Sequence, residues 1–354
     1  MNRREALGAL LLALAPSSVL AAAPSVSTLI GTGSKGFSDR EVNNPYGLVI
    51  GPDRMLYFCD LDNQRIRRLD LKTHLTTSIA GNGERAYGGD GGPATAGALN
   101  MPHEIAFDAA ANIYIAERDN HVVRKVDART GVISTFVGTG AAGFSGDGGP
   151  ATLAQLRQPH SIAVDPRGKL LICDIGNHRI RQVDFASGMI ETYGGNGERQ
   201  PTPDGAPVKT APLNGPRTMA FDPDGNLYLA LREGNAIYRI DAASQTLHHV
   251  AGTGESGYAG DGGAARAAKL GGPKGLAIAD DESLYVADTE NHAIRRVDRK
   301  TGIITTVLGT GARGDGPESD PLACRLSRPH GVFAAGSTLY VSDSEAHRIR
   351  VLQQ

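Results

Sequence analysis

The sequence lacks tryptophan, has three cysteines among its 354 residues, and draws only 5% of those residues from the aromatic set. Lysine and arginine number 36 against 38 aspartate and glutamate residues, a formal net charge of −2. A net charge so close to zero argues against nucleic acid as a ligand. It also argues against any partner attracted mainly by the net charge of the protein. Three cysteines also exclude a fully paired disulfide framework.

The longest apolar run lies near the N-terminus, from Ala6 to Ala15, directly after Arg3 and Arg4. Basic residues followed by a short apolar segment and small residues are typical of an export signal, predicted here at residues 1–23. The start resembles a twin-arginine signal with Ala6 in place of Phe, and the general secretory route is the alternative. The run is too short for a permanent span, so the mature chain is predicted to be periplasmic or secreted, without a transmembrane segment.

A single proline marks an internal repeat across the mature chain, residues 24–354. Its positions differ by 57 four times and by 56 once: Pro45, Pro102, Pro159, Pro216, Pro273 and Pro329. Each copy contains short apolar or alternating runs separated by turn residues, such as Ile113 to Ala116 and Val122 to Asp127. Four such runs per copy predict an all-β fold, a six-bladed β-propeller with four antiparallel strands per blade.

The last copy ends at Gln354 after only three strands, and the missing strand is found at the other end of the mature chain. Residues 26–33 match residues 133–140 and 304–311, which form the fourth strand of other copies. The N-terminal strand is therefore predicted to complete the last blade and close the ring as a monomer, which removes two exposed sheet edges. Cys59 and Cys173 occupy the same position in non-neighbouring copies and are predicted to be buried and unpaired.

The segment Asp174 to Arg181, with its Asn177-His178-Arg179-Ile180-Arg181 core, resembles the NHL-repeat family. The glycine-rich loop from Gly143 to Thr152 is similar to a long-loop subtype found in bacterial secreted proteins and in the teneurin propeller. The resemblance extends over essentially the whole mature chain and implies the propeller fold. It does not imply one function, because members of the family include enzymes, sensors and interaction platforms.

Residues that recur in every copy are explained by the blade itself, so a functional site is expected where the copies differ. The recurring histidines are assigned to the scaffold on this ground: His121, His178, His292 and His347.

A Gly-Asp-Gly-Gly loop that invites a calcium interpretation occurs in three copies, around Asp90, Asp147 and Asp261. One carboxylate per loop is fewer than calcium usually needs, so a glycine-rich turn in which Asp bonds its own backbone is preferred.

The position directly after the marker proline differs among the copies. Around the ring it reads Tyr46, His103, His160, Arg217, Lys274 and His330. The first strand of a blade lines the channel of a propeller, so these side chains are predicted to surround one channel mouth. Arg217 and Lys274 suit an anionic group there, with Tyr46 as a further ligand contact. Arg232 lies in a loop where the fourth copy departs from the others, and it is a fourth candidate for ligand binding.

The three histidines of this set are also candidate metal ligands. The sequences around His103, His160 and His330 resemble those of peptidylglycine-amidating lyase, in which such histidines bind a catalytic zinc. That resemblance implies one divalent metal, zinc rather than calcium. The lyase draws its histidines from alternating blades, whereas here they come from copies two, three and six, so a compact three-histidine site is less well supported.

Three functions follow from these patterns. The first is a binding module that holds a small anionic molecule, a peptide, a glycan or a protein at the loop-bearing face. The second is a metal-dependent lyase or hydrolase, in which Arg217 steadies developing charge and Tyr46 or Glu104 moves a proton. The third is a structural protein of the cell envelope, which requires no site.

Overall fold

The computed structural model describes residues 23–354, and the predicted export signal, residues 1–23, lies outside this part of the chain except for its last residue. The described chain is built from six antiparallel sheets. The first strand of each blade contacts the first strand of the next, and the last contacts the first, so the innermost strands form a closed ring. The predicted six-bladed propeller is confirmed.

The strands follow one pattern in each blade. Blade one contains β2 (Pro45–Ile50), β3 (Leu56–Asp60), β4 (Arg65–Leu69) and β5 (Thr76–Ala80). Blade two contains β6 (Pro102–Phe107), β7 (Ile113–Glu117), β8 (Val122–Val126) and β9 (Ile133–Val137). Blade three contains the short edge strand β10 (Gly149–Pro150) and β11 (Pro159–Val164), β12 (Lys169–Asp174), β13 (Arg179–Asp184) and β14 (Met189–Gly194).

Blades four to six continue the pattern. Blade four contains β15 (Pro216–Phe221), β16 (Leu227–Leu231), β17 (Ala236–Ile240) and β18 (Leu247–Ala251). Blade five contains β19 (Gly275–Ile278), β20 (Leu284–Asp288), β21 (Ala293–Val297) and β22 (Ile304–Leu308). Blade six contains β23 (Pro329–Ala335), β24 (Thr338–Asp343) and β25 (Arg348–Gln353), and is completed by β1 (Ser25–Ile30).

Short 3-10 helices are the helical elements of the described chain. Four connect the second and third strands of their blades: Leu61–Asn63, Ile175–Asn177, Thr289–Asn291 and Ser344–Ala346. Three lie in the long loops between blades: Ala94–Ala96, Ala151–Leu153 and Ala265–Ala267. No helix in the described chain has the length and apolar character to cross a membrane.

The N-terminal strand closes the ring as predicted. Strand β1 pairs antiparallel with β25, with Ser25 opposite Gln353 and Ile30 opposite Ile349. Val26 is 2% exposed and packs in one apolar cluster with Leu352. The three cysteines are unpaired and buried, which also agrees with the prediction.

A buried arginine on the third strand ties most blades to their own loops. Arg181 lies 3.7 Å from Asp174 at the end of the second strand and 2.7 Å from Asp147 in the glycine-rich loop. Arg295 lies 2.6 Å from Asp261 in the same way. The loop aspartates therefore pair with a buried guanidinium. The expectation that they bond mainly their own backbone was wrong, because it left out the charge that the third strand places beneath each loop.

The recurring histidines join neighbouring blades, as their assignment to the scaffold requires. The Nδ1 atoms of His121 and His178 accept hydrogen bonds from the backbone N–H of Gln158 and Gly215, each just before the next marker proline. His292 and His347 make the same bond with the next blade, and the side chains of Gln64 and Asn235 replace histidine at the other two interfaces. All six interfaces thus share one hydrogen bond.

Blade four exchanges both charges of the buried ion pair for uncharged groups. Leu231 stands where the neighbouring blades place the acidic residue, and Tyr238 stands where they place arginine. Both side chains are buried in one apolar cluster. The Tyr238 hydroxyl donates to the backbone oxygen of Thr202 at 2.6 Å, which replaces the guanidinium contact with the loop. The paired exchange leaves no isolated charge in the core.

Candidate functional site

A β-bulge directly follows the marker proline in five of the six inner strands. The register shifts between Pro159 and Ile162 and between Pro216 and Thr218, with similar shifts in blades one, two and six. A bulge redirects the side chain that it contains. In blade five, Lys274 directly precedes β19 and donates its backbone N–H to Ala287. Each blade thus places one predicted residue at the start of its inner strand: Tyr46, His103, His160, Arg217, Lys274 and His330.

Four of these side chains contact one another in an arc. The ring of Tyr46 stacks on His330 with centroids 4.0 Å apart and meets the edge of His103 at 4.8 Å. His103 meets His160 edge to face at 4.7 Å. Tyr46 therefore lies between His330 and the other two histidines.

The three histidines of the arc are held in one tautomer. Their Nδ1 atoms lie 2.7–2.9 Å from the backbone oxygens of Met101, Gln158 and Arg328, two residues earlier in the chain. A carbonyl oxygen only accepts, so Nδ1 carries the proton and Nε2 keeps its lone pair. Burial, followed by positive neighbours that include Arg217, lowers each histidine pKa well below 6.5. The arc is uncharged at neutral pH.

Lys274 closes the arc on the other side of His330. Its Nζ donates to Oε1 of Glu290 at 2.7 Å and lies 3.4 Å from Nε2 of His330. Burial lowers the pKa of Lys274 to about 8, although Glu290 opposes the shift. Burial would raise the pKa of Glu290, but hydrogen bonds from Arg328 and Lys274 bring it down to about 2. Lys274 is therefore a cation whose charge is already matched.

Arg217 is a cation without such a match. Its side chain is 3% exposed, and within residues 23–354 it has no carboxylate at ion-pair distance and no hydrogen-bond partner. Burial lowers its pKa below the ordinary value, while Tyr46 and Glu104 raise it through their charges. Tyr46 belongs to blade one, which lies opposite the blade of Arg217 in the ring of six.

A cavity of about 250 Å³ lies in the channel beneath the arc. On one side, blades five, six and one have glycine next to the channel-mouth residue: Gly275, Gly331 and Gly47. On the other side, blades two, three and four carry Glu104, Ser161 and Thr218. A Cβ on Gly47 would lie 2.1 Å from Oε1 of Glu104, so this glycine makes room for the carboxyl group. Burial raises the pKa of Glu104 to about 7, and Arg217 partly offsets the shift.

The remaining predicted ligand contact lies on the rim rather than in the channel. The Nε atom of Arg232 is 3.3 Å from Oε1 of Glu233, and its side chain is 42% exposed.

Sequence reasoning missed Glu290, which neutralises Lys274. Its signal was available, because the position reads Asp62, Asp119, Gly176, Glu233, Glu290 and Glu345 and thus also differs among the copies.

The histidines do not form a metal site in this geometry. Across residues 23–354, no group of three or more His, Cys, Asp or Glu side chains is arranged to hold a metal ion. His103 and His160 are neighbours, but the ring of Tyr46 separates His103 from His330. The zinc hypothesis therefore gains no support from the described chain.

Comparisons with known proteins agree with the repeat. The family model of the NHL repeat matches residues 156–183, and that of the teneurin NHL domain matches residues 245–329. This chain is a six-bladed β-propeller that carries NHL-repeat sequence. The NHL propeller is 28% identical to Protein SUPPRESSOR OF QUENCHING 1, chloroplastic, from Arabidopsis thaliana, across 88% of this chain and 30% of that protein.

The NHL propeller is also 27% identical to human NHL repeat-containing protein 2, across 72% of this chain and 39% of that protein. The chain thus spans between about a third and two fifths of the length of these relatives. Among solved structures, an auxiliary nutrient binding protein from Bacteroides thetaiotaomicron shares the fold with a TM-score of 0.68. Its sequence identity is 16%, over 93% of this chain and 76% of that one.

Proposed function

We propose that this propeller is an extracytoplasmic binding module that holds a small anionic molecule at the channel mouth. The observation that carries the proposal is Arg217, a buried guanidinium without a partner in the described chain. A charge that is largely removed from water and has no counter-charge is destabilising. A site that retains such a group is suited to a ligand that supplies the missing negative charge.

The surroundings of Arg217 suit an anion of modest size. The neighbouring imidazoles are neutral and keep Nε2 as an acceptor, so they suit a ligand that also carries hydroxyl or amide donors. Tyr46 offers its hydroxyl from the opposite blade. Lys274 adds a cation, although Glu290 already pairs with it. A small carboxylate with additional hydroxyl groups fits this set of partners.

Binding is favoured over catalysis for two reasons. Within residues 23–354 no three His, Cys, Asp or Glu side chains are placed together to hold a metal ion, so the lyase or hydrolase hypothesis gains no ligand set from the geometry. The fold is also shared with a protein named as an auxiliary nutrient binding protein, which supports a binding role without identifying the ligand. The extracytoplasmic location rests on the N-terminal sequence alone.

Calorimetric titration of the untagged mature chain with malonate and with inorganic phosphate tests the proposal. We expect 1:1 binding of at least one anion, weakened at least tenfold in Arg217→Gln. The control is Arg129→Gln, which removes the same charge from an exposed turn. In the absence of anion, Arg217→Gln should also melt at a higher temperature than the wild type, because it removes an unpaired buried charge. Equal anion binding by wild type and Arg217→Gln would overturn the proposal.

A further inference from the structure

A second cavity lies in the outer groove between blades three and four. It measures about 580 Å³. Its lining includes Leu171, Tyr193, Phe221, Ala242 and Asp165. Phe221 also lines the channel cavity beneath the arc, whereas the other four residues line only this groove.

The groove between blades two and three shows one way in which the repeat fills this space. There Tyr114, Phe136 and Phe185 form a cluster of three rings with centroids 4.9–5.8 Å apart. The groove between blades four and five is also filled, because the guanidinium of Arg299 lies 5.1 Å above the ring of Tyr228.

Two substitutions open the groove between blades three and four. Adding 57 to the numbers of Tyr114, Phe136 and Phe185 gives Leu171, Tyr193 and Ala242. Leucine replaces the first ring and alanine replaces the third, so only the tyrosine remains. The two smaller side chains therefore widen this groove relative to the one before it.

A hydrogen-bond acceptor is left without a donor at the same place. In blade two, Oδ2 of Asp108 accepts the hydroxyl of Tyr114 at 3.0 Å. The equivalent carboxylate in blade three is Asp165, whose Oδ1 accepts the backbone N–H groups of Arg167 and Lys169. Its Oδ2 accepts no hydrogen bond from the protein within residues 23–354 and is open to water, because Lys169 and Leu171 stand where blade two has Asn112 and Tyr114.

We propose that this groove binds a small phenol. The aromatic ring would lie over Leu171 and beside Tyr193, where the repeat has lost its own rings, and edge or offset contact with Tyr193 would hold it there. The hydroxyl donates to Oδ2 of Asp165, as the hydroxyl of Tyr114 does to Asp108. A substituent opposite the hydroxyl reaches the rim, where Lys169 and Lys209 lie.

The probe is p-cresol, which has the structure of the tyrosine side chain, and the comparison ligand is toluene, which lacks the hydroxyl. Titrations of the mature chain are followed through the backbone amide NMR signals of Tyr193 and Ala242. We expect saturable 1:1 binding of p-cresol with a Kd on the order of 1 mM or tighter. Toluene should bind at least fivefold more weakly, since it leaves Asp165 without a donor.

Two variants introduce the aromatic residues found at the equivalent positions of the neighbouring groove. Both are expected to stay folded, so a loss of binding cannot be attributed to misfolding. Leu171→Tyr and Ala242→Phe should each fill the cavity, melt no lower than the wild type and abolish saturable p-cresol binding. Ala128→Phe changes the same repeat position in blade two, where it should leave p-cresol binding unchanged. Undiminished p-cresol binding in a folded Leu171→Tyr protein would overturn the proposal, as would the absence of amide shifts in the wild type up to the solubility limit.

Discussion

The Nζ atom of Lys274 lies 3.4 Å from Nε2 of His330, so an ammonium group and an imidazole from neighbouring blades share one side of the channel mouth. Both groups are buried. The proton on Nδ1 of His330 is fixed by the backbone oxygen of Arg328 at 2.8 Å, which leaves Nε2 as the atom that would take up a second proton. The positive charge of Lys274 opposes that uptake.

Replacing Lys274 with methionine should therefore raise the pKa of His330. Burial is the largest cause of the lowered value and stays in place, so the pKa should rise but remain below 6.5. NMR titration of the imidazole nitrogens between pH 5 and pH 8 measures this directly. His160, farther around the ring, serves as the internal control and should shift less. A wild-type His330 that titrates at an ordinary pKa would show that the arc is open to water.

Glu104→Gln should stabilise the protein more at alkaline than at acidic pH. The pKa of Glu104 is about 7 in the folded chain and near 4.5 when the carboxyl group is unfolded. Between those values the unfolded state loses its proton first, so the wild type loses stability as pH rises through this window and levels off above it.

Urea denaturation at several pH values measures the difference in unfolding free energy between Glu104→Gln and the wild type. That difference should increase from pH 4.5 to pH 8. The exposed Glu84→Gln is the control and should give a flat difference. A flat difference for Glu104→Gln as well would mean that water or a partner solvates the carboxylate in the folded state.

The hydrogen bond between blades predicts which substitutions of His178 are tolerated. Its Nδ1 accepts the N–H of Gly215 at 3.3 Å, and its φ of 52° lies in the left-handed region. Asparagine tolerates this conformation and performs the same task at Asn235, so His178→Asn should change the unfolding free energy by less than about 0.5 kcal/mol. His178→Ala should lose about 1–2 kcal/mol, because it gives up the acceptor and adopts a strained φ. Equal loss in both variants would contradict the assigned role.

The exchange in blade four predicts strong coupling between two positions. Leu231→Asp alone should destabilise by at least about 3 kcal/mol, because it buries a carboxylate opposite Tyr238 with no arginine to pair with it. The double variant Leu231→Asp/Tyr238→Arg recreates the pair that Asp174 and Arg181 form in blade three, and should recover at least half of the loss. A double-mutant cycle from urea denaturation measures the coupling. Strictly additive losses would contradict the assignment.

Much of the fold followed from the sequence because each copy repeats the same physical solution. The marker prolines set the period, and the strand preceding Gly31 could be matched to its equivalents elsewhere before any pairing was known. The channel-mouth residues were predictable for the same reason. The position after the marker proline has the same place in every copy, but its residue type varies among tyrosine, histidine, arginine and lysine. Once these positions lie around one channel, contacts such as the stack of Tyr46 on His330 follow from their proximity.

The balance of charge at the site was not predictable in the same way. Whether Arg217 is paired depends on side-chain conformations across the axis, since Glu104 comes from another blade and turns toward Gly47. The groove between blades three and four is a second case. Leu171 is visible as a departure from the tyrosine at this repeat position and Ala242 as a small residue, but they are far apart in sequence. Only the packing of each blade against the next shows that both departures open one cavity.

A crystal structure of the mature chain grown in malonate is the most direct test of the channel mouth as an anion site. We expect electron density for the anion with an oxygen within hydrogen-bond distance of the Arg217 guanidinium, and neutral histidines around it. A structure in which Arg217 instead forms an ion pair with Glu104, and malonate is absent from the mouth, would contradict the proposed binding function.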